Sequence, residues 1–249
     1  MGTSKSFSDI QKSMPNWPTF SSTVTRSCDG SIATPAALGN ILGGYVTAVG
    51  GSGNSGRGKS RVSGRAGNKT AKKIARFFGE FISSGGDLVS ALEKTGLEDV
   101  GNKTVSEIIN HLIEYCSGPS STIDKNAAKA ASRQLLEEIA GSAKSNDELQ
   151  ELLKERFKNS DLEDLLIRYF GYYVLEHLAS WFYEKLVKEK GKNSCGNLFR
   201  QIREFIWAKL KSIHKKNPLE KVKWGTKASE TIIQNIQVDV LTVFEGYED

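Results

Sequence analysis

The first segment with a recognisable chemical spacing is the glycine-rich stretch from Gly53 to Ser60. Its residues, GNSGRGKS, match G-x-x-x-x-G-K-[ST], the pattern of loops that bind nucleotide phosphates. Such a loop needs a preceding strand and a helix that begins at its lysine, because the amides and the helix dipole must face the phosphates. Here the preceding residues have helical spacing, and Gly64 and Gly67 interrupt the segment after the lysine. The context therefore argues against nucleotide hydrolysis.

The same region is basic and could bind anions through side chains alone. Residues 1–86 carry a formal charge of +8, and the rest of the chain carries −3 of the total +5. Nucleic acid and an acidic protein groove are both suitable partners for such a segment. A flexible, solubilising linker is the other interpretation. The candidate anion-binding residues are Arg57, Lys59, Arg61, Arg65, Lys72 and Lys73.

The N-terminus offers a different reactive group. Removal of Met1 would leave the unhindered amine of Gly2, whose reference pKa is near ~8, so that part of it is neutral at pH 7. Thr3 and Ser4 are small, so this end of the chain could extend into a cleft. The start also fits M-G-x-x-x-[ST], the pattern for N-myristoylation. A frayed terminus without a function is the remaining alternative.

Two aromatic residues stand out in the otherwise polar segment after this terminus. Trp17 and Phe20 lie among Ser and Thr residues, where no helical or strand period is evident. Aromatic side chains in such a segment are typical anchors for a partner's pocket. Packing back onto the protein itself explains them equally well. The candidate partner-binding residues are therefore Gly2, Thr3, Ser4, Trp17 and Phe20.

The remaining chemically versatile residues are scattered. No pair of cysteines or histidines has the spacing of a metal or redox motif, and no Ser/His/Asp set is apparent. We therefore predict no metal, no cofactor and no catalytic residue. The residues concerned are His111, His177, His214, Cys28, Cys116 and Cys195.

The elements that must position these groups have the sequence signals of helices. Thr34-Pro35 is a helix start, and Thr104 with Glu107 has the spacing of a capping box. Apolar residues recur at helical spacing from Asn68 onward, without alternating β-branched runs. We predict an all-α fold: a flexible Gly/Ser-rich basic N-terminal arm with one short helix over residues 1–67, then a helical bundle over residues 68–249. No apolar run reaches the ~18–20 residues of a membrane span, and no signal peptide is apparent, so we expect a cytoplasmic protein.

Three features together resemble a known family. They are the MGTS start, the glycine-rich basic stretch that leads into helices, and the ending DVLTVFEGY from Asp239 to Tyr247. This combination is similar to the QatB family, a component of the bacterial Qat anti-phage defence system. The resemblance covers both ends and the general layout, not the residues between about 85 and 225.

The resemblance implies a protein without activity of its own that works bound to a QueC-like (QatC-type) enzyme. Such enzymes use ATP to convert the carboxylate of a 7-deazaguanine to a nitrile. Their defence relatives transfer the activated intermediate to an N-terminal glycine. Gly2 would then be the acceptor of a 7-deazaguanine-type group. The same system contains an ATPase and a TatD-like nuclease as further candidate partners. The alternative from another class is an architectural nucleic-acid-binding protein that uses residues 57–76.

Overall fold

The computed structural model describes residues 13–159, 162–213 and 226–247, and helices connected by short loops account for most of them. The described residues contain no strand, which confirms the all-α prediction. The α-helices are α1 (Trp17–Ser27), α2 (Pro35–Ala48), α3 (Ser52–Ser55), α4 (Arg65–Ser83), α5 (Leu88–Glu93), α6 (Val105–Ser117), α7 (Ile123–Ala140), α8 (Asn146–Asn159), α9 (Leu162–Lys190), α10 (Lys192–Leu210) and α11 (Lys227–Thr242).

The helices begin where their capping residues predict. The Thr34 hydroxyl accepts from the Ala37 amide at 3.2 Å at the start of α2, where Pro35 needs no hydrogen-bond partner. At the start of α6, the Thr104 hydroxyl and the Glu107 carboxylate satisfy each other's amides in a complete capping box. Each such cap provides a hydrogen-bond acceptor for an amide that has no partner within the helix and would otherwise bond to water.

The long helix α9 lies at the centre of the fold. It packs against α7, α10, α4 and α11, so partners cover most of its circumference. Its large side chains Tyr169, Phe170 and Tyr173 are accordingly buried. A helix with apolar residues on all sides is stable only when it is surrounded in this way.

The segment before Gly67 has more structure than the sequence predicted. Residues 1–12 of the predicted arm lie outside the described residues, but α1, α2 and α3 all precede Gly67. The helix α1 has a weak sequence signal because only one narrow face of it is apolar. Gly67 itself, the predicted end of the arm, lies inside α4. Side chains from both sides of it share one hydrophobic core, from Met14 to Phe244.

The C-terminal residues turn back onto the N-terminal helices and form a C-terminal hook, residues 243–247. The Glu245 carboxylate accepts from the Ser52 amide at 2.7 Å, at the start of α3. The ring of Tyr247 lies against Gly39 of α2, and the Lys209 ammonium is 5.0 Å from its centroid. Among the described residues, no helix is long and apolar enough to cross a membrane.

Candidate functional site

A tyrosine of the central helix α9 holds the glycine-rich loop between α3 and α4 in place. The Tyr173 hydroxyl accepts from the Gly64 amide at 2.7 Å and lies 3.2 Å from the Ser63 hydroxyl. The Ser63 hydroxyl is also 3.2 Å from that of Tyr45. All of these groups are buried, so water does not compete for the hydrogen bonds. The loop is thereby attached to both α9 and α2.

A carboxylate completes this attachment. Tyr173 donates to Asp124 Oδ1, and the Ala66 amide donates to Asp124 Oδ2 at 2.9 Å. Asp124 belongs to the first turn of α7 and caps the first turn of α4, so two helix N-termini meet at one negative charge. Both helix dipoles favour a carboxylate at this position. This Asp124 cluster consists of Tyr45, Ser63, Asp124, Tyr173 and His177.

The imidazole of His177 lies within the cluster and is fully buried. Burial lowers its pKa to about 4, although Asp124 and the Val62 main chain favour the charged form. The Asp124 carboxylate is 3.9 Å from Nε2, and the Val62 main chain falls short of hydrogen-bond geometry. His177 is therefore a neutral ring at pH 7, packed edge-on against Trp181 with centroids 4.7 Å apart.

The fold brings a serine, a histidine and an aspartate together, which the sequence analysis did not detect. Ser63, Asp124 and His177 come from a loop and two different helices. The Ser63 hydroxyl contacts two tyrosines, and burial raises the pKa of Tyr45 and Tyr173, so both remain protonated donors. Ser63 and His177 are buried, which leaves a substrate no access. The cluster therefore has the geometry of a structural anchor.

A second anchor holds the other side of the loop. The Asn68 amide nitrogen lies 3.0 Å from the carbonyls of both Gly56 and Gly64 and 2.5 Å from Gln237 Oε1 on α11. Gly64 itself has a φ of +99°, and a Cβ there would lie 1.9 Å from the Ser55 carbonyl. Only glycine fits a position with this backbone angle and this close contact.

The amides of the loop already have partners within the protein. The Lys59 and Ser60 amides donate to the Asn54 carbonyl at 2.7 and 3.1 Å, and the Gly58 amide donates to the Ser55 carbonyl at 2.9 Å. A nucleotide-binding loop needs such amides free for the phosphates. In addition, the helix α2 precedes this loop, and α4 begins at Arg65, well beyond Lys59. The match to the phosphate-loop pattern therefore lacks the required geometry.

Comparison with protein-family models matches residues 50–244 to the family described as Qat anti-phage system associated protein QatB. The chain belongs to the QatB family. The protein is accordingly a component of the Qat anti-phage system, as the resemblance of its sequence implied. No curated protein and no solved structure matches the chain.

The region that matches QatB contains the loop, the residues that hold it apart from Tyr45, and the first residues of the C-terminal hook. It begins after α2, so Gly2, Trp17 and Phe20 precede it. The C-terminal part of the resemblance, from Asp239 to Phe244, lies within the matched region. Its buried members Val240, Leu241 and Phe244 pack in the core, which gives this ending a structural role.

In this QatB-family protein, the predicted anion-binding residues separate into two groups. Arg57, Lys59, Arg61 and Arg65 are exposed on the loop and at the start of α4. Lys72 instead forms a salt bridge of 2.9 Å with Glu230. Lys73 donates to the Tyr115 carbonyl and lies 5.1 Å from the centroid of the Tyr115 ring. The last two are engaged within the protein, so the exposed group is the one available to a ligand.

The predicted partner-binding residues also separate. Gly2, Thr3 and Ser4 lie outside the described residues. Trp17 and Phe20 pack on α9, and Phe20 is only 2% exposed. Both aromatics therefore contact the protein's own central helix, and their contact with a partner stays a prediction. Across the described ranges, no group of three His, Cys, Asp or Glu residues is arranged to hold a metal ion.

Proposed function

We propose that this protein is a non-enzymatic component of the Qat system that binds the QueC-like ATP-dependent enzyme and presents Gly2 to it. Membership of the QatB family supports a role within a multi-component system. The ATPase and the TatD-like nuclease are further candidate partners. Because the proposed partner needs ATP, we place the reaction in the bacterial cytoplasm.

The observation that carries this proposal is the fixed root of the N-terminal segment. Met14 is buried, and Trp17 and Phe20 hold α1 against α9. The twelve residues that precede Ser13 could span at most ~40 Å when extended. A terminus of this reach on a fixed root can enter a partner's cleft while the helical body stays outside.

The proposed step is an acyl transfer. The neutral amine of Gly2 attacks the carbonyl carbon of the ATP-activated deazaguanine carboxylate. The bond from that carbon to the activating group breaks, that group leaves with its electron pair, and the nitrogen loses a proton. The product is an amide that has lost the terminal positive charge and carries a flat, hydrogen-bonding ring.

Intact-mass measurement after co-expression with the QueC-like enzyme tests the proposal. The N-terminal peptide is expected without Met1 and with one deazaguanine-type group on Gly2. Gly2→Leu retains Met1 and is expected to abolish both the modification and defence, whereas Gly2→Ala still exposes a small amine and serves as the matched control. An unmodified N-terminal peptide from cells that defend successfully would refute the proposal, and a myristoyl group would reveal itself by its different mass.

A further inference from the structure

We propose that an exposed basic strip next to the anchored loop binds the phosphodiester backbone of nucleic acid. This goes beyond the proposed function, because it concerns a different surface and requires no modification of Gly2. The strip consists of Arg57, Lys59, Arg61, Arg65, Lys69 and Arg76, all exposed.

The charges of the strip are not neutralised by neighbouring carboxylates. Within the described residues, none of the six forms a salt bridge, whereas the adjacent Lys72 does. The sequence has no Asp or Glu between Asp29 and Glu80. The carboxylates that lie on or against α4 bond to other groups: Asp124 accepts from the Ala66 amide, Glu230 pairs with Lys72, and Glu80 pairs with Lys94. The strip therefore presents uncompensated positive charge to solvent.

The strip is elongated, as a polymeric anion requires. Arg65, Lys69 and Arg76 are spaced by four and seven residues along α4, so they lie on one face of the helix. From Arg65 to Arg76 the helix rises about 16 Å. Phosphates follow each other every ~3.4 Å along one strand, so this face can lie beside roughly five of them. The loop residues Arg57, Lys59 and Arg61 extend the charge beyond the helix start.

The loop is prepared for binding because its backbone is already ordered. Tyr173 and Asn68 hold Gly64 and Gly56, and the Arg65 side chain donates through Nε to the Gly58 carbonyl at 2.9 Å. Binding then costs only the ordering of side chains, since the backbone loses little further freedom. Four of the six residues are arginines, whose planar groups contact phosphate oxygens in pairs.

The composition of the surface favours nucleic acid over a protein or a nucleotide. The large exposed apolar residues of the described chain are Ile32, Ile82, Val89, Leu152 and Tyr183, none of them between residues 51 and 76. Protein interfaces centre on buried aromatic or apolar anchors, which this surface lacks. A nucleoside triphosphate would need the amides that the loop uses internally. The ligand that suits this surface is therefore a phosphate backbone, which arginine and lysine side chains can contact without free loop amides or apolar anchors.

Fluorescence anisotropy of the purified full-length chain with a short duplex DNA of arbitrary sequence tests the proposal. Single-stranded DNA and RNA of the same sequence are measured in parallel. Polyglutamate serves as a competitor that represents an acidic protein. We expect affinity that falls steeply between about 50 and 200 mM salt. The triple variant Arg57→Gln/Lys59→Gln/Arg61→Gln is expected to lose more than about tenfold in affinity and to lower the salt slope by up to ~2.7.

The matched control removes the same charge elsewhere. Lys185→Gln/Lys188→Gln/Lys192→Gln alters exposed residues at the end of α9 and the start of α10, about 18 Å or more along α9 from Tyr173. This variant is expected to bind almost as the wild type does, and Lys69→Gln/Arg76→Gln tests the helical part of the strip separately. Absence of salt-dependent binding, equal losses in test and control variants, or equally tight binding of polyglutamate would overturn the proposal.

Discussion

The indole of Trp17 stacks on the ring of Phe182, with centroids 5.3 Å apart and planes 10° from parallel. The same indole meets Trp181 edge-on at 5.6 Å, and Phe20 contacts both α9 residues. The helix α1 thereby covers part of the C-terminal half of α9. The aromatic residues of the N-terminal segment are thus packed against the core.

The first prediction concerns the stability that this aromatic contact contributes. A buried Trp→Ala change costs about 3–5 kcal/mol, and we expect this for Trp181→Ala. Trp17 is only half-buried, so we expect Trp17→Ala to cost about 2 kcal/mol, including the ring contacts with Phe182 and Trp181. The sequence alone, by contrast, predicts almost no change in the melting temperature for Trp17→Ala. Urea unfolding of both variants measures these costs, and an unchanged midpoint for Trp17→Ala would mean that the contacts of the Trp17 ring add no stability.

Local sequence signals predicted most of the helices but not how the N-terminal segment packs. Thr34, Thr104 and the apolar periods are local, so they indicate helix starts directly. In α1, Phe20 and Val24 are buried while Ser and Thr residues form much of the remaining surface, and the latter concealed the helix. The Asp124 cluster joins residues far apart in the chain, and no local sequence pattern predicts such a long-range contact. The exposed basic residues were recognisable by composition, whereas the engagement of Lys72 and Lys73 depends on tertiary contacts.

The second prediction tests the anchor of the loop. Tyr173→Phe removes the hydroxyl that bonds both the Gly64 amide and the Asp124 carboxylate. A buried group that loses its only partner costs about 1–3 kcal/mol, so we expect a destabilisation of about 2 kcal/mol. We also expect faster hydrogen exchange at the Gly64 amide, measured by NMR or mass spectrometry.

Tyr45→Phe is the matched control for that experiment. The Tyr45 hydroxyl contacts Ser63, which keeps its contact with Tyr173. Its loss should therefore cost less than about 1 kcal/mol and leave exchange in the loop nearly unchanged. Equal effects of the two substitutions would show that Tyr173 does not hold the loop in particular.

The third prediction concerns the dependence of stability on pH. Burial lowers the pKa of His177 to about 4 in the folded protein, against about 6.5 in the unfolded chain. Below pH 6.5 the His177 imidazole binds a proton in the unfolded state but not in the folded state. The free energy of unfolding therefore declines from that pH down to about 4. The contribution is fully present above pH 6.5, and its complete loss amounts to about 3 kcal/mol.

The variant His177→Gln isolates this effect because it removes the titrating group. Its free energy of unfolding should be lower at pH 7, since a packed ring is lost, but should fall less steeply between pH 6.5 and 4. His111→Gln, at a half-buried position where the ring bonds Thr95, controls for the loss of a histidine as such. Parallel pH profiles of the wild type and His177→Gln would contradict the assignment of a neutral buried ring.

The last prediction concerns a contact between α2 and the C-terminal hook. A Cβ on Gly39 would lie 2.4 Å from Cδ1 of Tyr247, so that the ring would have to leave its place on α2. Alanine in a helix interior is otherwise about 0.5–1 kcal/mol better than glycine, so steric and conformational effects oppose each other. We expect the clash to prevail and Gly39→Ala to destabilise the protein by about 1–2 kcal/mol.

A Tyr247→Ala background separates the two effects of the Gly39 substitution. Without the ring, Gly39→Ala should become neutral or stabilising, because only the conformational gain remains. Gly53→Ala, where a Cβ meets no atom within 4 Å, is the matched control and should not depend on Tyr247. Urea unfolding of the complete double-mutant cycle measures the coupling, and additive effects of Gly39→Ala and Tyr247→Ala would show that the C-terminal hook does not rest on this glycine.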